Sequence, residues 1–120
     1  MRDFRGLKVW DKSHRLTLAV YKATALFPRE ELYGLTGQIR RASASIPANI
    51  AEGCGRGGVP ELAHFLQVAM GSATELEYHL LLARDLSLLE VSDYEELATE
   101  TTEVKRMLTT LIKRLKPARY

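Results

Sequence analysis

The sequence is poor in cysteine, in aromatic residues and in long apolar runs, and it shows no strand pattern. Cys54 is the one cysteine in 120 residues, so no internal disulfide can form, and the chain fits a reducing, cytoplasmic compartment. No stretch approaches the roughly 20 consecutive apolar residues that a membrane-spanning helix needs. The opening segment, MRDFRGLKVWDKSHR, is too charged to hold the apolar run of a secretory signal. No segment alternates apolar and polar residues with period two, which excludes a sheet and the folds built on one. Aromatic residues make up 8%, which leaves few rings for stacking on bases. The net charge of +2 is too small to indicate a polyanionic partner by itself.

What the chain does have is helical periodicity. At 46% hydrophobic residues it can bury a core of its own, and residues 1–120 read as a single domain. The first helix is expected from about Leu7 to Phe27, with Leu16, Val20, Ala23 and Phe27 on one face and Pro28 ending it. The second is expected from about Leu32 to Glu52, with Leu35, Ile39, Ala42, Ile46 and Ile50 as its stripe and Gly53 as a left-handed stop. The third should start at Pro60 and reach about Leu89, roughly 42 Å at ~1.5 Å per residue. The fourth should open on a capping box, Ser92-Asp-Tyr-Glu95, and keep a 3-4 rhythm through Leu115. Short connections force neighbours antiparallel, so the expected fold is all-α, an up-down-up-down four-helix bundle.

The segment Ile46–Gly58, IPANIAEGCGRGG, is the most distinctive stretch. Gly53-Cys54-Gly55-Arg56-Gly57-Gly58 matches G-x-G-x-x-G, but a helix precedes it and no strand exists, so it is no dinucleotide fingerprint. It is a turn between helices. Pro47 lacks the N–H that would bond the Ser43 carbonyl, which predicts a kink in the second helix between Ser43 and Pro47. Asn49 points toward the buried stripe, where it satisfies carbonyls freed by the kink or fixes helix register, or else lines a binding pocket. Glu52 shares a face with Arg41, Ser45 and Ala48, and Arg41 and Arg56 are its candidate ion-pair partners.

No catalytic or cofactor constellation is found. A di-iron bundle needs two Glu-x-x-His motifs; Glu61-Leu-Ala-His64 is one, and His14 and His79 have no glutamate three residues before them. Cys54 has no partner at metal-ligand spacing and no adjacent base. Neither a metal nor an enzymatic activity is expected.

The charge is unevenly spread. Residues 1–57 hold ten basic and five acidic side chains, and residues 58–120 hold seven basic and ten acidic. In the expected topology the start of the first helix, the glycine turn and the end of the fourth helix share one end of the bundle. That end gathers Arg2, Arg5, Lys8, Lys12, Arg56, Lys113, Arg114, Lys116 and Arg119, with Phe4, Trp10 and Tyr120 as its only aromatics. Cations at the end of the fourth helix match its dipole; those at the start of the first oppose theirs. Such a cluster could neutralise several phosphates in a sequence-independent way.

Several blocks resemble the 23S rRNA intervening-sequence four-helix protein family: Lys8-Val-Trp10, Tyr33-Gly-Leu-Thr36, Gln38-Ile-Arg-Arg-Ala42, Ser45-Ile-Pro-Ala-Asn-Ile-Ala-Glu-Gly53 with Arg56, and Gly71-Ser72 with Glu75-Leu-Glu77. The resemblance covers nearly the whole chain. It implies a four-helix bundle that assembles as a ring-like homopentamer. It also implies kinship with accessory proteins of diversity-generating retroelements, which bind a reverse transcriptase and nucleic acid through basic surfaces. The chain departs from the pattern in its modest charge, in Gly37 where serine is common, and in Ser87 where glycine is common. The small face of Arg41, Ser45, Ala48 and Glu52 offers a place for a neighbouring subunit. The expected function is therefore that of a non-enzymatic, homo-oligomeric accessory or scaffold protein holding RNA or DNA on its basic end. The alternative is a protein-interaction module that binds no nucleic acid.

Overall fold

The apolar stripes settle into four helices: α1 (Lys8–Thr24), α2 (Leu35–Gly55), α3 (Val59–Asp85) and α4 (Val91–Leu115). The computed structural model describes residues 3–116, and among these there is no strand. Each helix packs against two others in the cycle α1–α2–α3–α4–α1, and no diagonal pair comes close. The result is a four-helix bundle measuring 50 × 26 × 20 Å. Its core is drawn from all four stripes, with Val20, Ile39, Ile46, Ile50, Leu66, Leu76, Val104 and Leu108 fully buried. The α2–α3 seam is the most extensive and the α1–α4 seam the narrowest.

Several helix ends differ from the sequence expectation: α1 ends at Thr24 rather than Phe27, and α2 begins at Leu35 rather than Leu32. Gly53 does not stop α2 but sits buried inside it; a Cβ there would lie 2.9 Å from Phe65 Cβ and 3.1 Å from Leu62 Cδ1, so this glycine lets α2 and α3 close together. The left-handed residue of the turn is Gly57, at φ 86°. The α4 capping box does not form: the helix begins at Val91 after an extended Glu90, and no side chain caps it. Ser92 is already within the first turn, and the Tyr94 N–H bonds the Glu90 carbonyl at 2.8 Å. The third helix ends at Asp85 rather than near Leu89, because Ser87 turns left-handed at φ 62°. There the Ser87 N–H bonds the Arg84 carbonyl and the Leu88 N–H bonds the Ala83 carbonyl, both at 2.9 Å, the paired closure of a Schellman motif.

Pro47 lies inside α2, and its missing N–H leaves the Ser43 carbonyl without an intrahelical partner. Thr17 of α1 supplies one: its Oγ1 lies 2.9 Å from the Ser43 carbonyl and 2.9 Å from the Ser13 carbonyl of its own helix. Asn49 does not serve the freed Ser43 group; its Nδ2 donates to the Ser45 carbonyl at 2.8 Å and to Ser45 Oγ at 2.9 Å. At the other end of the α1–α2 seam Arg40 donates to Thr24 Oγ1 and the Tyr21 carbonyl, with its guanidinium 4.7 Å above the Tyr21 ring.

Candidate nucleic-acid interface

The antiparallel closure of the bundle brings the beginning of α1 beside the end of α4. Lys113 and Arg114 occupy the last turn of α4, where the exposed carbonyls of the helix favour positive charge. Lys8 opens α1 behind Leu7, which is extended and makes no side-chain cap. A half-open groove of about 520 Å³ runs between these two helix ends, and both Lys8 and Arg114 line it.

The cations predicted from sequence do not all stay available. Arg5 pairs with Asp3 at 3.3 Å, and the Arg56 guanidinium reaches Glu52 at 2.6 Å while lying 5.0 Å from the Phe65 ring centroid. Lys12 spans the α1–α4 seam to Glu100 at 2.7 Å. Counting nearby acids by sequence distance misses Glu100, because only the register of α1 against α4 brings the two together. Arg106 pairs with Glu103 one turn back on α4. Lys8, Lys113, Arg114 and Lys116 are exposed and form no ion pair among the described residues. Arg119, with Arg2 and Tyr120, lies outside the described residues.

On the α2–α3 side, Ser45 Oγ and Ser72 Oγ meet at 2.8 Å, and Asn49 extends this chain of hydrogen bonds along α2. A shallow polar groove of about 290 Å³ adjoins them, lined by Gln38, Arg41, Ser45, Ser72 and Glu75. Arg41 and Glu52 flank this face, but Glu52 is paired with Arg56 and not with Arg41. A Cβ at Gly37 would lie 3.0 Å from both Arg41 Nη1 and the Leu32 carbonyl, which gives the absence of serine at that position a steric reason.

Cys54 is buried, and Glu61 and His64 are exposed on the first turns of α3. Among the described residues no three His, Cys, Asp or Glu side chains stand close enough to hold a metal ion, and no helix is long and apolar enough to cross a membrane.

The pattern of the 23S rRNA-intervening sequence proteins matches residues 5–110, which span every helix but the last turn of α4. The chain belongs to that family. A solved structure shares the fold of this intervening-sequence protein at TM-score 0.78 and 28% identity, covering 88% of this chain and 95% of the other. It is a protein of unknown function from the S23 ribosomal protein family of Bacteroides thetaiotaomicron. No match is found among curated proteins.

Proposed function

We propose that this intervening-sequence protein is a non-enzymatic, homo-oligomeric scaffold that holds RNA or DNA by its phosphates at one end of the bundle. The observation that carries this reading is the group of four exposed, unpaired cations, Lys8, Lys113, Arg114 and Lys116, at that end. Helix-dipole matching accounts for the cations on α4 and for Asp11 in the first turn of α1, which pairs with Arg15, but not for Lys8, which opens that helix. The polar α2–α3 face, with Ser45, Asn49, Arg41 and Glu52, is the surface on which neighbouring subunits pack, most simply in a pentameric ring. A ring points every cationic end the same way and multiplies the charge offered to a polyanion. The kinship with retroelement accessory proteins that the sequence resemblance implies would make a nucleic-acid enzyme such as a reverse transcriptase the natural protein partner.

Fluorescence anisotropy of a labelled structured RNA and of a DNA duplex, titrated at several salt concentrations, tests the reading. If all four cations of one protomer engage phosphates, log K against log salt falls with a slope of about −3 to −4. Reversing charge at Lys113 and Arg114 should weaken binding and shrink the slope by about one per cation removed. Absence of binding at low salt would refute the nucleic-acid reading and favour the protein-interaction module. Light scattering that found a monomer at micromolar concentration would remove the oligomeric part.

A further inference from the structure

The groove beside Lys8 and Arg114 has a composition that phosphate binding alone does not require. Its floor is apolar: Leu7, Met107 and Leu111 are half-buried, pack against the core and line the opening. It lies on the α1–α4 seam, the narrowest of the four, where the chain enters α1 from a short 3-10 turn, Phe4–Gly6. Gly6 keeps one wall low, since a Cβ at that position would meet nothing within 4 Å. Arg106 and Glu103 neutralise each other at the edge of the groove, so the unpaired charge on its lining is that of Lys8 and Arg114.

We infer that this groove takes a nucleobase from a single strand, with Lys8 and Arg114 holding the phosphates beside it; the inference rests on the nucleic-acid reading above and narrows it. A duplex presents its phosphates outward and keeps its bases paired within, so it can satisfy the cations but cannot reach the floor. A single strand can turn a base away from its neighbours and lay the π-face on apolar side chains while its backbone follows the positive charge. The volume of about 520 Å³ lies within the range of small-ligand sites. Met107 suits the role, because a thioether makes favourable contacts with aromatic rings. The floor of Leu7, Met107 and Leu111 is apolar and the one hydroxyl of the lining, Thr110, donates to the Arg106 carbonyl, so the preference is for strandedness and not for sequence.

The test compares a 20-nucleotide single-stranded RNA with a duplex of the same length by anisotropy across salt. A third measurement uses the same RNA carrying 4-thiouridine, photocrosslinked to the protein and mapped by mass spectrometry. The single strand should bind several-fold more tightly than the duplex, and the crosslinks should fall on Met107, Thr110 or Leu111. Met107→Gln, with thermal denaturation to confirm folding, should weaken single-strand binding about twofold to tenfold at unchanged salt slope, and leave the duplex unaffected. Equal affinity for both forms, with crosslinks confined to other segments, overturns the groove while leaving the cationic end intact. Failure of both forms to bind at low salt overturns the nucleic-acid reading itself, and the groove with it. The crosslink map decides without any substitution, so a poorly folded variant does not remove the test.

Discussion

Removing the Thr17 hydroxyl isolates the device by which the bundle tolerates a proline inside α2. In the native chain the Ser43 carbonyl has no i+4 N–H to receive, because residue 47 is proline. Both Ser43 and Thr17 are buried, so water is a poor substitute for the missing donor. Thr17 Oγ1, at 2.9 Å, is the donor that crosses from α1. Thr17→Val keeps the shape and the β-branch and deletes the proton. A buried carbonyl left unsatisfied costs about 1–3 kcal/mol, and about 1.5 kcal/mol is expected here. For a domain of this length that lowers Tm by about 6 °C.

The decisive comparison is the same substitution in a Pro47→Ala background. Alanine at 47 restores an N–H that bonds Ser43 within the helix, so the hydroxyl of Thr17 becomes redundant. Thr17→Val should then cost about 0.5 kcal/mol or less, leaving a coupling near 1 kcal/mol between two residues on different helices. Urea denaturation of the four proteins measures it. If the Thr17→Val cost is the same in both backgrounds, within the ~0.3–0.5 kcal/mol expected of independent sites, Thr17 is not serving the proline and the reasoning fails.

Other substitutions test the helix ends and the tight seam. Ser87→Gly should stabilise the chain by about 0.5–1 kcal/mol in chemical denaturation, because relief of the left-handed strain exceeds the added freedom of glycine when unfolded. Gly53→Ala should destabilise it by about 1–3 kcal/mol, since the new methyl meets Phe65 and Leu62 of α3 at 2.9–3.1 Å; an unchanged denaturation midpoint would show that the seam can open at little cost.

How far the sequence predicts this molecule depends on the range of each interaction. The stripe of α2 is a local repeat of three and four, and the residues it selects, Leu35, Ile39, Ala42, Ile46 and Ile50, are all found buried. The helix ends were less legible. Gly53 and Ser92 each carry a genuine local preference, for a left-handed stop and for a cap; packing overrides the first, and the second is lost because the helix starts two residues earlier. The Gly53 position is needed for close approach to α3, and α4 gains its first turn from Glu90 onward. Thr17 had a readable signal, a polar residue in a buried stripe one helix away from an internal proline, but its target depends on the register of α1 against α2. The same limit applies to the cationic end. Lys12 and Arg5 count equally in a sequence tally, yet Lys12 reaches across the α1–α4 seam to Glu100, which lies 88 residues away.

The charges that remain after pairing argue for a purpose at that end of the bundle. Several cations are neutralised by carboxylates, through neighbours on the same helix for Arg15 and Arg56 and across the seam for Lys12. If the positive end existed only to complement helix dipoles, the unpaired charge would sit on the closing turn of α4, and the opening turn of α1 would carry only an acid such as Asp11, which pairs with Arg15. Instead Lys8 stands at the opening of α1 beside Arg114, on the lip of an apolar groove. Solubility explains isolated surface lysines but does not call for two helix ends of opposite dipole to present the same sign. The anionic ligand proposed above, bridging the two helix ends, would call for it, and would offset the cost of placing Lys8 against the dipole.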